Sequence, residues 1–279
     1  MVSGDAVHLD VAVMDKSALL LKTQGSTKVY KRNSSAAGAI VDDGSVPTSQ
    51  IINGRLGCDS VLLSLPDPIT CFADSSLQQL QTYRLTDTSS CGLVECFTCG
   101  RESSGEIWRA SRIRSNVQVY IQDKLVLLEN LDLQASMCGS LPEKIGGCVV
   151  FGTVIIVGPR TSQLRSTLQV LKQRQSFSNH KSAVERKLQD DSGGKQEVHV
   201  DPLVSLADIP GGSVLRFSAV TVEDCYCLLA LIFSPLEKEL NISPSPYMER
   251  IVPSSLAQRV AQHGSIFHAL ATALSAGTV

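Results

Sequence analysis

The 279-residue chain reads as a mostly β protein built from many short strands, with two main α-helices. Three observations predict this. Short apolar or alternating runs recur along the chain, turn signals separate them about every ten residues, and only two long segments carry helical periodicity. With 43% apolar residues but just seven Phe, five Tyr and one Trp, the core must be aliphatic.

From Ala6 to Val13 the pattern alternates strictly, with Val7, Leu9, Val11 and Val13 on one face, as a half-buried strand requires. Ala18 to Lys31 reads as two strands joined at the Thr23-Gln24-Gly25-Ser26 corner. Further strands are expected at Gln50 to Leu56, Val61 to Leu65, Gln78 to Leu85, Cys91 to Thr98, Ile107 to Arg114, Val117 to Ile121 and Leu125 to Leu133. The near-continuous apolar run Cys148 to Val157, bounded by Gly146-Gly147 and Gly158-Pro159, predicts a central strand buried on both faces.

The first helix is expected from about Ser162 to Arg174, after a Thr161 cap, with Leu164, Leu168 and Leu171 on one stripe. The second starts at Thr221, where Thr221 and Asp224 have capping-box spacing, and Pro235 should end or kink it. We assign residues 1–253 to one β domain with a polar insertion at about 176–196, and 254–279 to a weakly specified tail that could be helical through Leu256, Val260, Phe267, Leu270 and Leu274.

Charge narrows the function classes. With 25 Lys and Arg against 27 Asp and Glu, no basic field is available for a nucleic acid or an anionic membrane. The longest apolar runs fall short of the roughly 20 residues a spanning helix needs, so no membrane segment is expected. Met1-Val2-Ser3-Gly4-Asp5 lacks the basic and apolar segments of a secretory signal. Nine cysteines, several inside apolar runs, suit a reducing compartment, and a cytoplasmic location is expected.

Catalytic motifs are missing. There is no phosphate loop, dinucleotide fingerprint, nucleophile elbow or zincin pair, and the five histidines are scattered. Cys91-x4-Cys96-x2-Cys99, with Cys138 beyond, approaches the spacing of iron–sulfur ligands or half a zinc site. On a strand, however, Cys96 and Cys99 lie an odd offset apart and point to opposite faces. Glu95, Arg101 and Glu106 around two glycines at a strand end are either an ion-pair network pinning a turn or the polar lining of a passage.

Several ordered motifs resemble the urease accessory protein D family, UreD, also called UreH. They are Ser3-Gly4-Asp5, Thr23 to Tyr30, Pro66-Asp67-Pro68-Ile69-Thr70-Cys71-Phe72, Gln78 to Gln81, Gly100-Arg101-x3-Gly105-Glu106-x-Trp108 and Ser245-Pro246-Tyr247-Met248-Glu249-Arg250. The resemblance implies a flattened β-helical or sandwich-like body and a role outside enzymology. Family members bind apo-urease and the UreF and UreG accessory proteins, and act as metallochaperones that insert nickel during urease maturation, a step of nitrogen metabolism.

It further implies no tightly bound cofactor and no fixed metal site, with nickel in transit through an internal polar tunnel. Carried over by motif position, the nickel-path candidates are Asp5, Thr27, Glu95, Arg101 and Glu106. Carboxylates and hydroxyls suit weak, exchangeable binding of a divalent ion. Cys91, Cys96 and Cys99 match no metal ligands of the family and remain the alternative, a cysteine-based iron–sulfur or zinc protein. In the family the Ser-Gly-Asp motif follows a glycine pair and several strands, so the resemblance also implies an N-terminally incomplete chain, with an unpaired edge and exposed apolar faces at Val7 to Val13.

Overall fold

The computed structural model describes residues 1–31, 47–134, 145, 147–175, 202–233 and 235. The expected insertion at 176–196, the tail at 254–279, Cys138 and the Ser245 to Arg250 motif lie outside the described residues.

The chain coils. Strand β1 (Ala6–Val13) enters a five-stranded sheet, and β2 (Ala18–Leu21) and β3 (Lys28–Val29) then run in a second sheet. The next circuit repeats this with β4 (Thr48–Leu56), β5 (Val61–Ser64) and β6 (Ile69–Cys71), and the third with β7 (Ser76–Leu85) and β8 (Ser90–Thr98). Equivalent strands of successive circuits pair in parallel, β1 with β4, β4 with β7, β2 with β5 and β5 with β8. Of the flattened β-helical or sandwich-like body that the family resemblance implies, these parallel circuits are the β-helical form.

The path closes with one more parallel strand and several antiparallel additions. β9 (Arg112–Ile121) pairs in parallel with β7 and turns back into β10 (Lys124–Gln134). β11 (Val150–Val157) lies between β8 and β13 (Gly212–Ala219), and β12 (Leu203–Ile209) forms the far edge. The described strands therefore make one sheet ordered β1-β4-β7-β9-β10 and another ordered β12-β13-β11-β8-β5-β2, with β3 and β6 beside it.

Two helices, α1 (Ser162–Gln175) and α2 (Val222–Phe233), cover the outer face of the larger sheet. Leu164, Leu168 and Leu171 of α1 are buried, and Thr221 Oγ1 accepts the Asp224 N–H at 3.0 Å to cap α2 as its spacing predicts. β11 is central and buried on both faces. Its Ile155 and Val157 join the core between the sheets, while Val154 and Ile156 join the core under the helices. Each such aliphatic side chain contributes about 1.5–3 kcal/mol on burial. Among the described residues no helix is long and apolar enough to cross a membrane.

Three expectations need correction. Ile107 to Arg114 and Val117 to Ile121 are not two strands but one, β9, which starts only at Arg112. Before it, Trp108 adopts a left-handed φ of 50°, held by its Nε1–H donating to the Cys148 carbonyl at 2.6 Å and by its ring against Phe151. The β12–β13 hairpin was not expected at all; its signal is the Pro210-Gly211 turn, with Gly211 at φ 74°. Finally, β1 is half-buried only at its end: Val11 and Val13 are covered, whereas Val7 and Leu9 are 42% and 41% exposed.

Candidate functional site

The space between the two sheets is apolar at one end and polar in the middle. Leu77, Tyr83 and Leu85 fix the inward parity of β7, so Gln79 and Gln81 must also point inward, and both are buried. On β9 the inward set Ile113, Val117 and Val119 likewise carries Ser115 into the interior. Opposite them, β8 turns Cys91, Leu93 and Glu95 toward the same space.

These groups form one connected network. Ser115 Oγ donates to Glu95 Oε1, and Gln81 Nε2 donates to the same oxygen at 3.2 Å. Tyr83 donates its hydroxyl to Gln81 Oε1 at 2.7 Å, and Gln79 Nε2 donates to Gln50 Oε1 of β4 at 2.8 Å. Gly54 on the adjacent strand makes room for the Tyr83 ring, since a Cβ there would lie 2.5 Å from Tyr83 Cδ1.

Burial pushes the Glu95 carboxyl up from its ordinary value near 4.5 to about 7, against the opposing hydrogen bonds from Ser115 and Gln81. At neutral pH the site therefore sits between a neutral acid and a carboxylate. A cavity of about 160 Å³ adjoins it, enough for several waters. Gln50, Ser64, Gln79, Gln81 and Glu95 line its polar wall, and Leu9, Lys22, Thr23 and Thr27 line it on the side of β1 and of the segment after β2. The cavity offers one carboxyl, three side-chain amides and a few hydroxyls in an otherwise mostly apolar lining, with Lys22 at its edge.

Of the five residues expected to act together, the structure brings Glu95 and Thr27 to this cavity. The other three are not among its lining. Arg101 and Glu106 form an ion pair across a tight turn, where Gly105 has φ 71° and the Glu106 N–H donates to the Arg101 carbonyl at 3.1 Å. The Arg101 guanidinium holds the Glu106 carboxyl below its ordinary range and lies 5.4 Å from the centre of the Phe72 ring. Asp5 closes the N-terminal turn by accepting the Val2 N–H at 2.7 Å.

The cysteines do not converge. Cys91 lies in the core between the sheets, while Cys96 faces the helices, its sulfur 3.6 Å from that of Cys225 on α2. Burial pushes the Cys91 thiol up to about 12 and the Cys99 thiol up to about 11. Among the described residues no cluster of three His, Cys, Asp or Glu side chains could hold a metal ion.

Sequence reasoning passed over Gln50, Gln79, Gln81, Ser115 and Asp67. Asp67, buried between two prolines, accepts from the Thr23 hydroxyl at 3.3 Å and the Tyr226 hydroxyl at 3.1 Å, tying the cavity's rim to α2. Strand parity would have found the first four; the Asp67 link joins residues far apart in sequence and leaves no local signal.

Comparison with known proteins places this architecture. The family model described as UreD urease accessory protein matches residues 1–251. Urease accessory protein D of Oryza sativa subsp. indica is 28% identical over 257 residues, covering 88% of this chain and 79% of the relative. The protein of the same name from Arabidopsis thaliana is 28% identical over 250 residues, covering 88% and 82%. Urease accessory protein UreD of Sorangium cellulosum is 32% identical over 168 residues, covering 60% and 50%. With motifs, coiled topology and a family match over nearly its whole length in agreement, the chain belongs to the UreD urease accessory protein family.

Proposed function

We propose that the chain is a non-catalytic nickel-delivery scaffold of urease maturation, acting in the cytoplasm, that binds apo-urease together with UreF-like and UreG-like accessory proteins. Nickel is cargo in this reading and no cofactor is tightly bound. The observation that carries it is the cavity between the sheets, mostly apolar in its lining, with Thr27 at its rim and Glu95 buried at its wall. Neutral amide and hydroxyl oxygens with one titratable carboxyl give a divalent ion weak, exchangeable partners.

Glu95 supplies the charge on this path. Because its carboxyl titrates near 7, an arriving cation displaces the proton and the ion's departure allows it to return. Arg101, Glu106 and Asp5, which are not among the cavity's lining, are candidates on the outer course of the path. The test is coexpression of the chain with its accessory partners and urease, measuring nickel-dependent urease activity. Activity that does not depend on this chain sinks the proposal. Glu95→Ala with an intact fold and undiminished activation would remove Glu95 from the path.

A further inference from the structure

The larger sheet has a gap beside β8. β5 pairs with β8 as far as Ser64 opposite Leu93, and β6 takes up the pairing only at Ile69 opposite Phe97. The connection Leu65-Pro66-Asp67-Pro68 carries two prolines, which have no N–H to give to a ladder. Val94, Glu95 and Cys96 stand beside this gap, and the cavity between the sheets reaches all three together with Ser64, Pro66 and Ile69. Cys96 alternates with Glu95 and so faces the helices. There its sulfur meets that of Cys225 on α2 at 3.6 Å, and both thiols are buried and free.

We propose that Cys96 and Cys225 are a modification site, a thiol pair that hydrogen peroxide converts to a disulfide joining β8 to α2. The sulfurs already touch, and a bond needs only about 1.5 Å of further approach. The cavity leads an oxidant of nearly the size of water to Cys96. The product is also neutral, whereas a metal held by the same pair would need thiolates in an apolar core. In the first step the Cys96 sulfur attacks one peroxide oxygen, the O–O bond breaks, and water leaves behind a sulfenic acid. The Cys225 sulfur then attacks the Cys96 sulfur, the S–O bond breaks and a second water departs. The pair gives up two electrons and two protons, and the peroxide takes up both as two waters. Burial holds the Cys96 thiol well above its ordinary value, so thiolate is scarce and the reaction is slow. Once formed, the link joins residues 129 apart in sequence and restricts the unfolded chain more than the folded one. It also fixes α2 next to Tyr226, whose hydroxyl donates to Asp67 in the gap.

The test treats the full chain with hydrogen peroxide, alkylates the remaining thiols in urea and maps the digest by mass spectrometry without reductant. A peptide pair joining Cys96 to Cys225 is expected, lighter by two hydrogens than the reduced peptides and separated by dithiothreitol. The urea midpoint should rise on oxidation and return on reduction. Cys225→Ala should abolish that rise and leave Cys96 to oxidise beyond the sulfenic acid. Should that variant fail to fold, the map of the unaltered chain still decides. Cys96 recovered as a free thiol, a link from Cys96 to a different cysteine, a link that forms only when urea is present during oxidation, or an oxidised chain no more stable than the reduced one would each overturn the proposal. None of these readouts measures nickel-dependent activation, so the two proposals fail separately.

Discussion

Gln81 on the five-stranded sheet donates its side-chain N–H to Glu95 on the facing sheet, 3.2 Å across the interior. Because burial raises the Glu95 pKa from near 4.5 to about 7, the folded state holds a proton that the unfolded chain has released over that window. The contribution is complete below pH 4.5 and lost as pH rises through 7. Stability should therefore fall by about 2 kcal/mol between pH 5.5 and 8 on account of this group. Glu95→Gln keeps an acceptor for Ser115 and Gln81 but cannot ionise. Urea denaturation of the variant should show that slope removed, and an unchanged slope would mean that Glu95 is not the titrating group.

Asp67 should matter more than its place between two prolines suggests. Asp67→Ala leaves the Thr23 and Tyr226 hydroxyls without the acceptor they share, at a cost of about 1–3 kcal/mol. Tyr226→Phe removes one partner without burying a new polar group and should cost less. A double-mutant cycle by chemical denaturation checks the coupling; additive losses would show that the bridge carries no energy.

Most strands and both described helices are legible in the sequence because each rests on local periodicity, whereas the β12–β13 hairpin and the start of β9 are not. The polar interior is harder to read. In Leu77-Gln78-Gln79-Leu80-Gln81 the eye places leucines inside and glutamines outside, yet Leu80 lies on the outer side and Gln79 and Gln81 are buried. Only Tyr83 and Leu85 further along show which parity is inward. Glu95, Arg101 and Glu106 stand out as charged groups at a strand end and Asp5 and Thr27 through the family motifs, but spacing alone could not say that Glu95 and Thr27 share a cavity while Arg101 and Glu106 close a turn elsewhere.

Arg101 is exposed, and its ion pair with Glu106 spans a turn already fixed by backbone hydrogen bonds. Arg101→Ala should shift the thermal midpoint by only a few degrees, because exposed pairs are screened by solvent. On the proposed function, activation of urease should fall while the fold persists. An unfolded variant would show instead that the pair is the pin that holds this turn.

The β9–β10 turn offers a stabilising change. Gln122 and Asp123 both have positive φ, 46° and 62°, the conformation of a two-residue type I′ turn, which favours Asn followed by Gly. Gln carries a backbone cost there that Asn reduces and Gly avoids, partly offset by the greater freedom Gly gives the unfolded chain. Asp123 also lies 3.5 Å from Arg84, but its side chain is 96% exposed and that pair contributes little. Gln122→Asn with Asp123→Gly should raise stability by about 0.5–1 kcal/mol, read as a higher urea midpoint with an unchanged slope. The Gln122 N–H, which donates to the Leu85 carbonyl at 3.0 Å, is kept in that variant. Gln122→Val keeps it too but forces a β-branched residue into the left-handed region, and should lower the midpoint. Gln122→Asn alone should also raise the midpoint, and opposite signs for Asn and Val at position 122 would tie the effect to backbone conformation rather than to lost side-chain contacts.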